Sequence, residues 1–407
     1  MVSQTFLPPA AAVMPLAMLG NISAQQFLNE FWQKKPLLIR DAFGKNFAPL
    51  TDTEILTLAG YDEAESRLVS EVADKWQLEY GPFTPARFRA LAKKKAPPSK
   101  KWTVLIQDTQ HFSYEAHQLL SNFNFLPQTR VDDLMVSYAN EGGGVGPHVD
   151  SYDVFLLQGS GERQWQISGQ KNLAFKAGLP LKILSKFKAE ETWTLKEGDM
   201  LYLPPGYAHH GVAMSEVCVT WSIGFRAPTN QELLETWLDD VRDSIGVAGR
   251  VTDAVGDQSR MSLKPTNSTN HAAIASALSS QIADTISRAI ATTLTPRALA
   301  EFTGRYFTQA KSHVVFDLPE KELLQAAFIK RACKDGLVLD LRTRMLHDQS
   351  TIYVNGDMFV VDEKGHALFA QFANSRVLDS DILKSATSDA VEALYAQWVR
   401  GYWHFRN

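Results

Sequence analysis

Apolar and polar positions change rhythm twice along the 407-residue chain. Over the first hundred residues, short helical and extended patterns alternate. Ser23 followed by Gln26 predicts a capped helix that runs to about Gln33 and stops before Pro36, and Pro36–Arg40 reads as a strand. Thr51 with Glu54 caps a second short helix ending at Gly60, and Arg67–Val72 with Trp76–Tyr80 reads as a strand pair. Thr84-Pro85 opens a helix, closed by Lys93-Lys94-Lys95 as complement to its dipole. From Trp102 to Phe225 short β-rich runs follow one another closely: Trp102–Gln107, Asp133–Tyr138, Val154–Leu157, Gln164–Ile167, Thr192–Leu195, Met200–Leu203 and Val217–Ile223. Turns rich in Gly and Pro separate them, as in an all-β sandwich or barrel.

After Arg226 the spacing becomes helical. Leu233, Leu234, Trp237, Val241 and Ile245 share one face of a helix over Asn230–Ile245, a polar loop covers 252–270, and helices are predicted over Ala272–Leu294 and Pro296–Gln309. Pro319–Cys333 reads as helix, Asn355-Gly356 joins TIYV to MFVV as a hairpin, and a helix from about Asp389 to Arg400 ends the chain. Helices plus a hairpin suggest a winged-helix shape. The pattern therefore divides the chain into 1–226, 227–315 and 316–407.

Composition narrows the class. Apolar residues make up 45% and charged residues 21%, ordinary for a chain that buries a sizeable core. Lys plus Arg total 41 against 45 Asp plus Glu, a net charge of -4; residues 316–407 hold 11 basic and 13 acidic residues, a net of -2 that argues against direct DNA binding by the winged-helix unit. Cys218 and Cys333 are the only cysteines, which excludes a disulfide framework and a cysteine-based zinc site and points to the cytoplasm. The stretch Phe6–Leu19 carries three prolines, is too short to span a membrane and lacks a basic n-region. The sequon at Asn267 thus has no secretory context.

The chemistry concentrates in two segments. Gly142-Gly143-Gly144-Val145-Gly146-Pro147-His148-Val149-Asp150 ends in His-x-Asp, whose members share a face if they lie on a strand. Gly198-Asp199-Met200-Leu201-Tyr202-Leu203-Pro204-Pro205-Gly206-Tyr207-Ala208-His209 ends in a second histidine about sixty residues on. Two imidazoles and a carboxylate are the ligand set of the facial triad that holds Fe(II) and leaves three coordination positions open; zinc favours a tetrahedral site and has no need of the carboxylate. Gly-x5-His-x-Asp and Gly-x5-Pro-x-Gly-x2-His are similar to the two halves of the cupin signature, with Asp in place of a histidine, and the second half selects His209 over His210.

GPHVDSYDVFLLQGSGERQW, PPGYAHHG and GFRAP, with FWQKKPLLIRDAF near the start, resemble the bacterial ribosomal oxygenases of the JmjC/cupin-4 group along the whole chain. The resemblance implies an α+β protein: a double-stranded β-helix (cupin/JmjC jelly roll) catalytic domain over 1–226, a helical dimerisation region over 227–315 that makes a homodimer, and a winged-helix-like domain over 316–407. It implies Fe(II) held by His148, Asp150 and His209, with 2-oxoglutarate and O2 as co-substrates. Arg163 matches the residue that pairs with the distal carboxylate of 2-oxoglutarate, for which a planar guanidinium is suited. Thr220 and Ser222, alternating before Gly224-Phe225-Arg226, face the same space. The implied substrate is a ribosomal protein, with the β-carbon of an arginine in the sixteenth large-subunit protein as the expected acceptor.

Other residues admit two readings. Asp153 can bind a substrate guanidinium or satisfy a turn; Tyr138 can stack on an arginine or pack in the barrel. Trp165, Trp193 and Cys218 read as core, and His111 and His117 carry no assigned chemistry. Rival functions are a histidyl or lysyl oxygenase on another basic protein, a cupin enzyme using its metal only as a Lewis acid without 2-oxoglutarate, and a non-catalytic module docking a ribosomal partner.

Overall fold

A computed structural model describes residues 15–44, 47–73, 75–92, 101–244 and 276–406. Residues 6–14 of the apolar stretch, Lys93–Lys95, Ile245 and the 252–270 segment with Asn267 lie outside the described residues. The chain forms two compact units, Met1–Ala227 and Pro228–Asn407.

The first unit opens with β1 (Pro15–Leu16), β2 (Ile22–Ser23), α1 (Ala24–Glu30), β3 (Leu37–Ile39), α2 (Asp52–Leu58), β4 (Ser66–Val72), β5 (Lys75–Tyr80), α3 (Pro85–Ala92), β6 (Lys101–Ile106) and α4 (Tyr114–Ser121). The caps lie where the sequence places them. Ser23 accepts from the Gln26 amide, and Thr51 with Glu54 forms both halves of a capping box. Then come β7 (Val131–Ala139), β8 (His148–Val149), β9 (Asp153–Ser160), β10 (Arg163–Ser168), β11 (Glu191–Leu195), β12 (Met200–Leu203), β13 (Ala208–Ala213) and β14 (Cys218–Phe225).

These strands make an eight-stranded sheet in the order β3-β12-β9-β14-β7-β6-β4-β5 and a four-stranded sheet in the order β11-β10-β13-β8. Strands β12-β9-β14-β7 and β11-β10-β13-β8 are the two halves of a jelly roll. Period-two alternation gives the larger sheet two distinct faces. Val154, Leu156, Leu201 and Leu203 meet Trp165, Ile167 and Leu195 of the smaller sheet in an inner core. The opposite face carries Val136, Phe155, Leu157, Tyr202, Val219, Trp221, Ile223 and Phe225, packed with Phe27 and Phe123 of the N-terminal elaboration. Phe155 lies within 5.0–5.8 Å of the rings of Phe27, Phe123, Tyr202 and Phe225. Removing its fully buried ring would cost about 3–5 kcal/mol.

The second unit contains α5 (Asn230–Ser244), α6 (Ser276–Thr293), α7 (Pro296–Thr308), α8 (Gln325–Asp335), β15 (Leu337–Leu339), β16 (Met345–His347), β17 (Ile352–Val354), β18 (Asp357–Phe359), α9 (Glu363–Ser375), β19 (Val377–Leu378), α10 (Ser380–Leu383), α11 (Ser388–Trp398) and β20 (Trp403–Phe405). The Asn355-Gly356 turn has φ of 49° and 91°, the doubly left-handed geometry that favours Asn-Gly between strands. Helix α7 lies close to β17 because Gly304 has no Cβ; one built there would sit 2.3 Å from the Tyr353 ring. The helix expected from Pro319 begins only at Gln325. The Leu323 carbonyl just ahead of it accepts instead from the Tyr395 hydroxyl at 2.9 Å, and further back Arg342 donates to the Val315 carbonyl and to Asp317, each at 2.7 Å.

Candidate metal centre

Strand β8 is an edge strand whose whole pairing is two residues, Val149 against Ala208 and His148 against His209. That register sets the two imidazoles side by side, with ring centroids 4.2 Å apart. Asp150 lies just past the strand rather than on it, so shared strand parity does not bring it to the histidines. A turn does: the Gly206 amide, in a left-handed conformation at φ 79°, donates to the Asp150 carbonyl at 2.8 Å. The Pro-Pro-Gly of the second segment thereby anchors the backbone of the first at Asp150. Asp150 Oδ2 lies 3.5 Å from His209 Nε2, and Asp150 Oδ1 lies 4.0 Å from His148 Nε2. One ligand atom from each residue falls within 4.8 Å of the others, the one such His/Cys/Asp/Glu group among the described residues.

Both rings are held in the same tautomer. His148 Nδ1 lies 3.0 Å from the Gly146 carbonyl and His209 Nδ1 lies 3.0 Å from the Tyr207 carbonyl, so each Nδ1 donates to a backbone carbonyl and each Nε2 faces Asp150. Burial, reinforced by His148, pushes the His209 imidazole down to about 4, keeping it neutral and ready to ligate at physiological pH. His210, next in sequence, points the other way, edge-on to Phe187 at 6.2 Å. Two imidazole nitrogens and a carboxylate, converging with one side partly open, fit a ferrous ion.

The glycine run ahead of His148 allows close backbone approach. A Cβ on Gly144 would sit 2.4 Å from the Gly211 carbonyl, and one on Gly143 would sit 2.3 Å from the Trp102 carbonyl. Backbone bonds from Gly142 to Ala213 and from Ala213 to Gly143 close the run onto β13.

Arg163 lies on the inner face of β10 and is 4% exposed, with its guanidinium 5.7 Å from the centre of the Trp165 ring. Trp165 in turn lies 5.7 Å from the His209 ring. Nε and Nη2 of Arg163 have no hydrogen-bond partner among the described residues. A buried cation with orphan donors is costly by itself and suits an anion such as the distal carboxylate of 2-oxoglutarate. Thr220 and Ser222 are buried on the inner face of β14, because their neighbours Val219, Trp221 and Ile223 belong to the outer core.

Tyr138 and Asp153 are not brought to this site. Tyr138 falls in register with the outward-facing Val136 and stacks on Trp102 at 5.7 Å. Asp153 precedes the inward-facing Val154 and so points outward. It accepts from the Tyr202 hydroxyl at 2.6 Å and from Gln33 at 3.1 Å, with Arg130 at 3.9 Å. Both join the N-terminal elaboration to the back of the sheet, on the face away from the metal ligands. Residues the sequence reading passed over are Tyr152 and Gln158. Burial, followed by the charge of Asp150, raises the Tyr152 phenol far above its ordinary value. Gln158 is fully buried on β9. Both stand in the YDVFLLQG string beside the first ligand pair, which was the available signal.

A JmjC domain model matches residues 118–233, and a ROXA-like winged helix matches residues 281–404. The chain is 38% identical over 218 residues to the ribosomal protein uL16 3-hydroxylase of Escherichia coli, a match covering 53% of this chain and 56% of that protein. It is 36% identical over 221 residues to a probable ribosomal oxygenase of Haemophilus influenzae, covering 53% and 52%. The chain thus spans about half the length of the curated relatives it matches in sequence. Among solved structures it is similar to E. coli YcfD, at 27% identity and a TM-score of 0.79, covering 95% of this chain and 98% of that one. It is also similar to YcfD, described as a ribosomal oxygenase, in complex with cobalt and 2-oxoglutarate, at 27% identity and a TM-score of 0.76 over 94% and 98%.

Proposed function

We propose that this chain, which carries a JmjC domain followed by a ROXA-like winged helix, is an Fe(II)- and 2-oxoglutarate-dependent hydroxylase of a ribosomal protein. The observation that carries the reading is the pairing of two features on one inner face: a converging two-histidine, one-carboxylate set, and a buried guanidinium with unfilled donors. Bound there, ferrous iron with 2-oxoglutarate and O2 supplies oxidising chemistry that ends in succinate, carbon dioxide and a hydroxylated carbon. The chain's own part is binding and placement. His148, Asp150 and His209 would hold the ion, and the carbonyls of Gly146 and Tyr207 keep both imidazoles from turning. Arg163 holds the far carboxylate, and the apolar inner core keeps water from that end of the site.

The acceptor protein is the large-subunit protein uL16, by likeness to the E. coli uL16 3-hydroxylase, and the acceptor atom is an arginine β-carbon, as the family resemblance implies. Intact-mass and fragment analysis of large-subunit ribosomal proteins, from cells with and without the gene, tests this. One added oxygen confined to an arginine of uL16 is the expected result, and an oxygen on a histidine or lysine of another protein would replace the acceptor. Failure of iron and 2-oxoglutarate to yield succinate would return the site to Lewis-acid chemistry. We place the enzyme in the cytoplasm, where ribosomal proteins are found; no described helix is long and apolar enough to cross a membrane.

The same reading assigns 1–226 to catalysis, 227–315 to homodimerisation and 316–407 to the winged-helix-like part, without direct DNA binding. Ile282, Ile286, Ile290 and Leu294 recur every four residues along and just beyond α6, each 37–53% exposed, as a helix face awaiting a partner has them. Light scattering that returned a monomer mass would remove the dimer.

A further inference from the structure

We propose that, of the two hydroxyls of β14, Ser222 and not Thr220 donates to the co-substrate, and that Gln158 is the positioning residue that decides between them. The inference rests on the 2-oxoglutarate reading above. Both hydroxyls lie on the inner face of β14, two residues apart, and composition alone makes them equivalent donors to an anion.

The hydrogen bonds make them unequal. Gln158 stands opposite Thr220 across the β9–β14 pair, at a bulge where Val219 faces Ser160 and Thr220 faces Gln158. The odd residue is Gly159, where a Cβ would meet the Trp221 indole at 2.8 Å. The bulge turns the Ser160 and Val219 carbonyls onto the Gln158 side chain, whose Nε2 donates to them at 2.8 and 3.0 Å. Turning the amide over would aim its oxygen at two carbonyl oxygens, so its orientation is fixed. Gln158 Oε1 therefore faces Thr220 Oγ1 at 3.1 Å, and an amide oxygen can only accept. Thr220 must spend its one proton there. What it offers to the space between the sheets is lone pairs, which repel a carboxylate. Ser222 is 8% exposed and makes no hydrogen bond among the described residues, so its proton is free.

Two variants, each a near-isostere, separate the hydroxyls without turnover. The full chain is loaded with Mn(II), and 2-oxoglutarate is titrated in by calorimetry. Ser222→Ala is expected to weaken binding about tenfold, the effect of losing one hydrogen bond to a charged group. Thr220→Val is expected to stay within about twofold of wild type. Gln158→Met, made in the Ser222→Ala background, frees the Thr220 proton and is expected to recover at least about threefold of the lost affinity. Tenfold weakening by Thr220→Val, no effect of Ser222→Ala, or no recovery in a folded double variant would each overturn the proposal. If the double variant does not fold, the contrast between the two single variants still decides it. A wild-type chain that binds Mn(II) but no 2-oxoglutarate would overturn the co-substrate reading itself, and this inference with it.

Discussion

Replacing Arg163 with Met should make the empty protein more stable and the liganded protein less so. Arg163 is almost completely buried, and two of its donor atoms have no partner among the described residues. Each orphan donor costs about 1–3 kcal/mol relative to a satisfied one, and ordered water reaching them lowers that figure. The face of Trp165, 5.7 Å away, returns about 0.5–2 kcal/mol as a cation–π contact. The balance favours Met, of similar length and no charge, by about 2 kcal/mol. For a unit of this size that is a rise of roughly 4–8 °C in the melting temperature of the first unit. With 2-oxoglutarate at about a hundred times its dissociation constant, the wild-type protein gains about 2.7 kcal/mol and the variant gains almost nothing, so the order of stability reverses. Scanning calorimetry on metal-loaded protein, with and without 2-oxoglutarate, reads both halves. A variant that melts lower than wild type in the absence of ligand would refute the reasoning, because the guanidinium would then be part of the packing rather than an anion site held in readiness.

His209→Ala should abolish Mn(II) binding in calorimetry while leaving the fold intact by circular dichroism, since one imidazole of the converging set is lost; a variant that still coupled 2-oxoglutarate consumption to product would defeat the ligand assignment. Asp153→Asn should lower the melting temperature but leave the KM for a substrate peptide unchanged, because Asp153 hydrogen-bonds Tyr202 and Gln33 on the outer face. In the second unit, Asp340 accepts from Arg342 Nε at 2.8 Å and contacts His404 at 2.9 Å. Burial raises its carboxyl, but those hydrogen bonds outweigh burial and hold it well below the usual range. Its contribution is therefore complete above about pH 4 and disappears as pH falls toward the lowered value; Asp340→Asn should cost about 3 kcal/mol at neutral pH and flatten the acid limb of a pH–melting profile.

Local rules carried much of the fold. The caps at Ser23 and Thr51, the Asn355-Gly356 turn and the proline-led helix at Pro85 are each set by a few neighbouring residues, and each stands where the pattern puts it. Helix α9 was missed although its signals are present: Asp362 accepts from the Gly365 amide at 2.7 Å, and Leu368, Phe369 and Phe372 form a buried stripe. A glycine three residues past the cap masked it, since glycine lowers helix propensity. The late start of α8 was not legible, because the tie on the segment just ahead of it is long-range: the Tyr395 hydroxyl, 72 residues on, donates to the Leu323 carbonyl.

At the site, legibility followed strand parity. Tyr138 was open to correct placement: Leu134, Val136 and Tyr138 continue one alternation, and β7 pairs with β14 so that Ser137 meets Thr220. Once Thr220 faces inward, Ser137 does too and Tyr138 cannot. Asp153 gave no such signal, because Val154-Phe155-Leu156-Leu157 is apolar on both faces and hides which way the strand begins. Asp150 inverts the lesson. It was placed among the ligands by parity, yet β8 stops one residue short of it, and the amide of Gly206 sets its backbone instead. The two glycine-framed segments are thus one mechanical device, the turn of the second anchoring the ligand of the first. A variant that stiffens that turn, Gly206→Ala at φ 79°, should weaken metal binding through Asp150 while leaving the His148–His209 pairing in place; unchanged Mn(II) affinity would show that the carboxylate finds its position without the turn.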